Sequence, residues 1–397
     1  MHVAVVTTSY PLSRESTSGI FIKRLVDNLP ESIIRTVITP CPDYRPATPD
    51  TANTRIRCFR YAPLAWQRIS HQPGGIPVAF RRNRWLLLLL PFMLLSMLAA
   101  CVRTGRHADV IHANWSLNGL VAGIAGALTG TPVITTLRGS DVDGLEDSLP
   151  RRLVLACCVA LSKRVVTVSK AICLEASTRF PKLAAKFSAI PNGVGNEFLD
   201  ISTGKAPNDD TLHITAIGNL SSNKRMDTVI SAAQKMTGGN APCVHIIGNG
   251  PELPALEIAA AEAASHGVKV DLAGTLPPAK IPGVLAETDI FVLASHSEGR
   301  PNVILEAMAA GLPVVAADIP GVRELVTDME TGLLFESGNI GQLASRLVQL
   351  RDNPQLRDRL GLAAREFIIS NGFTWQQCAT AYAGVYTSVR RHAGAAG

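Results

Sequence analysis

Eleven short β-rich runs alternate with helix-length segments along almost the whole chain, and few architectures accept that order. The runs fall at residues 2–8, 33–39, 56–61, 110–113, 133–137 and 165–168, then at 213–217, 244–247, 269–272, 290–293 and 313–316. Strands separated by a helix-length crossover pair in parallel, and parallel sheets need helices on both faces. With 397 residues the chain exceeds one ordinary core. Two doubly wound α/β units are expected.

The break between them is read at 199–210, because residues 200–210 are polar, contain Gly204 and Pro207, and lack an apolar period. The expected layout is an amino-terminal domain over 1–198, a linker over 199–210 and a carboxy-terminal domain over 211–374. A last helix within 375–397 is expected to return to the amino-terminal domain. Its Trp375, Tyr382 and Tyr386 have spacings that favour one packed face.

The eight cysteines show no CxxC spacing and mostly sit in apolar runs such as LACCVA, which fits reduced core thiols in the cytosol. The start MHVAVVTTSYP enters a strand without a basic leader, so no signal peptide is expected. Charge is uneven. Residues 1–200 carry 23 Lys+Arg against 13 Asp+Glu, whereas 201–397 carry 15 against 19. The basic half is the candidate for an anionic surface. Nucleic acid is not expected, since no helix-turn-helix, zinc knuckle or aromatic RNP run is found.

Anionic lipid fits better. Between Trp85 and Val102 the chain is apolar apart from Ser96, near the minimum for a bilayer span. Pro91 interrupts the run, arginines flank both ends, and the strand-like DVIHANW follows at once. A monotopic, membrane-associating helix within 81–106 is therefore ranked above a buried core helix, and both above a crossing.

The stretch HSEGRPNVILEAMAAGLPVV, from His296 to Val315, carries two carboxylates, Glu298 and Glu306. DIFVLAS before it reads as a strand, Pro301 suits a first helical turn, Gly311 suits the position past the helix end, and PVVAAD reads as the next strand. The turn lies at a carboxyl end of the sheet, where open α/β folds bind ligands. A helix amino terminus near Gly299, Arg300 and Asn302 favours an anion or a hydroxyl-rich ligand. If helical between them, the two glutamates would stand roughly 12 Å apart along the axis, beyond the roughly 5–9.5 Å of hydrolytic pairs. Hydroxyl binding is favoured over acid/base hydrolysis. Taken alone, each glutamate is equally an ordinary capping or solvated residue.

The pattern EGxPNVxLEAMAxGxPVV strongly resembles the retaining GT-B glycosyltransferases of the family-4 type. SYPLSRESTSGIF, DVIHANW, TTLRGSDV, VVTVSKAI, IPNGV, IGNLSSNK, IIGNGPE and LAGTL match that family's landmarks in order. The resemblance implies two Rossmann-like domains facing an inter-domain cleft and a nucleotide-diphosphate sugar as donor. Glu298 would face the donor sugar, the backbone of Gly299, Arg300, Pro301 and Asn302 would hold sugar hydroxyls and phosphate, and Glu306 would accept from ribose hydroxyls. Gly19 would approach the donor phosphates; Gly218, Asn219, Gly248, Asn249, Gly250, Thr275 and Leu276 would complete the donor pocket.

Two positions depart from the pattern. The family's G-R-x4-K run is Gly218-Asn219-Leu-Ser-Ser-Asn-Lys224 here, so Lys224 keeps its charge and Asn219 has none; the usual His-Gly is Arg138-Gly139. Arg138 or Arg225 is expected to restore the missing cation. His112, in DVIHANW, is a candidate acceptor- or sugar-facing group, although a lone histidine is more often structural. Asp141-Val-Asp143 is short and common and is read as a loop, so no metal and no cofactor beyond the nucleotide sugar is expected. The acceptor is read as a saccharide or lipid-linked saccharide, and the location as the cytoplasmic face of the membrane. A nucleotide-sugar epimerase and a non-catalytic binding protein are the alternatives.

Overall fold

A computed structural model describes the chain except for residues 14–15, 17, 43–49, 71–75, 77–78, 81–82, 143–144, 146–147, 202–210 and 391–397. Two compact units emerge, one formed by Met1–Asn192 with the segment from Trp375, the other by Gly193–Thr374.

Among the described residues the first unit is built on seven strands: β1 (His2–Val6), β2 (Ile34–Pro40), β3 (Thr54–Phe59), β4 (Val110–Asn114), β5 (Val133–Leu137), β6 (Arg164–Thr167) and β7 (Phe187–Ala189). They pair in parallel in the order β3-β2-β1-β4-β5-β6-β7. The order reverses between β1 and β4. Valines and isoleucines of β1, β4 and β5 are fully buried, as strands covered on both faces require. β3, at the edge, alternates buried and exposed residues instead.

The helix Trp375–Val389 buries Trp375, Cys378, Tyr382 and Tyr386 in one cluster with Val3, Val5, Val110 and Ile22 of this unit. The apolar segment forms a 3-10 turn, Arg84–Leu89, that runs into an α-helix, Leu90–Gly105. Pro91 lies in the first turn of that α-helix, directly after the 3-10 turn, so the helical segment changes from 3-10 to α geometry at the proline without ending there.

Among the described residues the second unit has six strands: β8 (His213–Ile217), β9 (Cys243–Ile247), β10 (Lys269–Gly274), β11 (Ile290–Leu293), β12 (Val314–Ala317) and β13 (Leu333–Phe335). They pair in parallel in the order β10-β9-β8-β11-β12-β13, reversing between β8 and β11. Strands β7 and β13, three residues each, escaped the sequence reading because so short a run carries no period. The unit boundary also differs from the expected end at 198. Val194 and Phe198 are buried in the second unit's core, and the Val194 amide donates to Phe373 at 2.9 Å. Most of the expected linker, 202–210, lies outside the described residues.

Candidate active site

Strands β8 and β11 are neighbours at the reversal of the second sheet, so the loops leaving their carboxyl ends flank a crevice. The β8 loop runs Gly218-Asn219-Leu220-Ser221, forms a 3-10 turn at Ser222–Lys224, and enters the helix Met226–Gln234. The β11 loop runs from Ala294 to Pro301 and enters the helix Asn302–Ala309.

Asn223 stitches the two loops together. Its side-chain amide donates to the Ser297 carbonyl at 2.9 Å, its Oδ1 accepts from the Ser297 amide at 3.2 Å, and its own carbonyl accepts from the His296 amide at 2.8 Å. That fixes Lys224 beside Glu298. The Lys224 ammonium donates to Glu298 Oε1, and the hydroxyl of fully buried Ser295 donates to the same oxygen at 2.7 Å. Glu298 Oε2 and the remaining ammonium protons of Lys224 make no further hydrogen bond among the described residues. The pair thus presents both an acceptor and charged donors to a ligand. Neither Asn223 nor Ser295 was singled out in the sequence, because a polar residue beside a motif carries no signal of its contacts.

Backbone proximity explains the glycines. A Cβ on Gly248 would lie 1.8 Å from the Gly218 carbonyl oxygen, and Gly248 has φ +150°. One on Gly250 would lie 2.2 Å from the Leu220 oxygen and 2.8 Å from Asn219 Oδ1. The loops after β8, β9 and β10 are tied by Gly218 N to Ile247 O, Leu220 N to Asn249 O and Gly248 N to Gly274 O, at 2.8–3.0 Å. Asn219 and Asn249 therefore sit on one braced edge, with exposed Thr275 and half-buried Leu276 just beyond β10. Gly321, unmarked in the sequence reading, supports the other side: a Cβ there would meet the Glu298 carbonyl oxygen at 2.1 Å.

The Arg300 side chain turns away from the turn it occupies; the guanidinium is buried, 3.6 Å from Glu324 and 4.7 Å over the Phe373 ring. Its backbone, the part expected to hold a ligand, stays in the turn. Pro301 is the extended residue before the helix rather than a member of its first turn, and no side chain caps the helix there. Glu306 is half-buried on the second turn. Arg225 follows Lys224 in the left-handed region, φ 48° and ψ 47°, with its guanidinium against Gly338. It forms no ion pair among the described residues.

The first unit collects a second group at its own reversal point. Gly19, φ +72°, precedes the helix Ile20–Asn28, and a Cβ there would strike the Ser9 oxygen at 2.2 Å. Arg138, at the end of β5, donates to Asn192 Oδ1 at 2.9 Å and Asn114 Oδ1 at 2.7 Å, and lies 4.6 Å over the Phe21 ring. Burial lowers its basicity. Its hydrogen-bond partners are neutral oxygens, so its charge is held but not cancelled by contact. The Asp141 carboxylate is occupied by two amides, of Ser116 at 2.7 Å and Arg138 at 2.8 Å. Asp143 lies outside the described residues.

His112 does not face a ligand. It sits in the middle of β4, fully buried, with Nε2 2.8 Å from Thr136 Oγ1, Nδ1 2.7 Å from the Tyr386 hydroxyl, and its ring stacked on Tyr382 at 5.1 Å. Burial, helped by Arg138, pushes its pKa down to about 3. Both ring nitrogens are engaged, so the histidine has none left to give an acceptor, and the expected catalytic role is withdrawn.

The family model for glycosyl transferases group 1 matches residues 199–367, and that for glycosyltransferase family 4 matches residues 19–198. An uncharacterised glycosyltransferase of Methanocaldococcus jannaschii is 28% identical over 284 residues, spanning 70% of this chain and 75% of that relative. D-inositol 3-phosphate glycosyltransferase of Kribbella flavida is 27% identical over 304 residues, 70% of each chain. Among solved structures, the Anabaena protein HepE in complex with UDP and glucose aligns with a TM-score of 0.73 at 19% identity, over 98% of this chain and 100% of that one. Sucrose-phosphate synthase from Thermosynechococcus elongatus aligns with a TM-score of 0.77 at 19% identity, over 98% of both.

Proposed function

Because this chain belongs to the GT-B glycosyltransferases of the group 1, family-4 kind, we propose that it moves a hexosyl or N-acetylhexosaminyl residue from a nucleoside-diphosphate sugar to a hydroxyl of a saccharide or lipid-linked acceptor, with retention. The observation that carries this reading is the Lys224–Glu298–Ser295 cluster at the reversal point of the second sheet. As the bond between the anomeric carbon and the diphosphate oxygen breaks, negative charge builds on the leaving group. Lys224 and Arg225, with the backbone amides at the start of Asn302–Ala309, are suited to neutralise it without a metal. The acceptor oxygen bonds to the carbon on the face the phosphate leaves, and its proton passes to the departing phosphate. Glu298 holds the sugar by its hydroxyls, and Glu306 accepts from the ribose. HepE, crystallised with UDP and glucose, supports a nucleoside diphosphate as the group to be held.

The acceptor reading rests on the first unit. Trp85, Leu88, Phe92 and Leu95 are 58–78% exposed along one face of Arg84–Gly105, whereas Leu86, Met93, Met97 and Cys101 are buried on the other. Between Asp50 and Asp109 the sequence holds nine arginines and no acidic residue. A groove of about 760 Å³ beside this helix is lined by Arg55, Arg57, Arg60 and Arg103. An apolar stripe rimmed by cations fits the interface of an anionic leaflet. Length and composition alone would also permit a crossing, with 17% of the apolar window buried; the packing of Leu86, Met93, Met97 and Cys101 in the first unit's core supports the interfacial reading. The eight cysteines, none of them in a disulfide, fit the cytoplasmic side. Incubation with a panel of nucleotide sugars and a membrane lipid extract tests the proposal. Labelled sugar should reach lipid, and hydrolysis or isomerisation of the donor alone would overturn it.

A further inference from the structure

At the opposite end of the second sheet from the nucleotide loops, the first residues of β8 and β9 bring together His213, Cys243 and His245. His213 pairs in register with Cys243, and His245 pairs with Thr215 on one side and Asp271 on the other. Register partners and residues two apart share a sheet face, so His213, Cys243, His245 and Asp271 project together. The ligand atoms of the first three all lie within 4.8 Å of one another. His213 Nδ1 is 2.9 Å from His245 Nε2, the two rings stack at 5.2 Å, and Cys243 is buried.

Asp271 supplies the independent observation. Its Oδ2 lies 3.4 Å from His245 Nδ1, on the far side of the ring from the cluster. A carboxylate there retains the ring proton on Nδ1 and turns the Nε2 lone pair toward His213 and Cys243, the arrangement by which second-shell acids orient metal-bound histidines. The backbone is equally fixed, since the His213 amide donates to Asp289 Oδ2 at 2.7 Å. Lys269, the register partner of Cys243 on β10, is exposed. Two imidazoles and a thiolate suit Zn2+, whose bonds of about 2.0–2.3 Å require only small movements of atoms already this close.

We infer that His213 Nδ1, His245 Nε2 and Cys243 Sγ form a zinc-class metal site that clamps the starts of β8 and β9, with Asp271 as its positioning residue and water in the fourth position. On binding, His213 shifts its proton from Nδ1 to Nε2 and the Cys243 thiol loses one proton to solvent; no electron is transferred. The site is separate from the sugar chemistry, because it lies about five strand residues from the Gly218 loop, on the order of 16 Å.

The test uses the full chain, stripped with chelator and titrated with Zn2+ or Co2+. The expected result is one equivalent bound, a rise in Tm with Zn2+, and a thiolate-to-cobalt charge-transfer band. Cys243→Ser should abolish the band. Should the buried cysteine prove essential to folding, His213→Gln keeps the test open and should lose the equivalent too. Asp271→Asn should weaken binding by about 10–100-fold. A Tm indifferent to both metal and chelator, or a stoichiometry that survives His213→Gln, would overturn the assignment.

Discussion

Lys224 and Glu298 stand 74 positions apart in sequence and meet as an ion pair, with Ser295 donating to the same carboxylate oxygen. Asn223, one residue before the lysine, hydrogen-bonds Ser297, one residue before the glutamate. The loops that carry the pair are thus held together by the Asn223 side chain and by its carbonyl, which accepts from the His296 amide. Two adjacent strands deliver opposite charges to one crevice.

The pair should act as a unit. Glu298→Gln and Lys224→Ala are each expected to lower kcat by about 10²–10³. The double variant should lose less than the sum of the two, because each single change already breaks the ion pair that positions the other group. Steady-state kinetics on the four proteins measures this, and additive losses would break the link.

Arg225 is the better candidate for the cation that Asn219 does not provide. A non-glycine residue in the left-handed region costs roughly 1 kcal/mol, so Arg225→Gly should hold or raise Tm. It should also weaken nucleoside-diphosphate binding by about tenfold, as loss of one charged hydrogen bond predicts. Arg138→Ala should do the reverse. It leaves the acceptors Asn114 and Asn192 without their donor and should cost about 1–3 kcal/mol of stability with the diphosphate Kd unchanged. Calorimetry and thermal denaturation separate the two.

His112 should register in stability rather than in turnover. Its folded pKa is depressed to about 3, against about 6.5 in an unfolded chain. Below pH 6.5 the unfolded state binds a proton that the folded state refuses, so stability falls as pH drops toward 3. The slope from this group is at most about 1.4 kcal/mol per pH unit. His112→Gln should flatten the Tm profile between pH 7 and 5 while leaving kcat near wild type in the variant that folds. An unchanged profile with lost turnover would return His112 to the catalytic list.

Membrane affinity should reside in the exposed stripe. Leu88 and Phe92 are 64% and 58% exposed, so serine at either position should leave Tm nearly untouched. Each apolar side chain inserted is worth about 1.5–3 kcal/mol, and each substitution should reduce partitioning to anionic vesicles at least about tenfold. Cosedimentation with and without anionic lipid reads this directly; equal binding by wild type and a variant carrying both Leu88→Ser and Phe92→Ser would sink the proposal.

Much of the fold was legible because period is a local property. Runs of four or more residues rich in apolar and β-branched side chains between helix-length segments announce parallel strands, and eleven of the thirteen strands among the described residues were legible that way. β7 and β13 were missed since three residues neither alternate nor form a run. The turn from Glu298 to Asn302 was legible for the same local reason, as strand, turn and helix follow one another without a break.

What the sequence by itself determined was the order of elements, the family pattern and the residues that flank the second unit's crevice. The tertiary structure decided which of those residues face a ligand. His112 looks functional in a linear motif, yet it spends both nitrogens on Thr136 and Tyr386, while Arg300 turns its side chain inward to Glu324 and Phe373 and leaves its backbone in the turn. Conversely, His213, Cys243 and His245 look unrelated across a 30-residue gap, and only strand register sets them side by side. A side chain's direction and its partners depend on residues distant in sequence, through packing and hydrogen bonds that no local window contains.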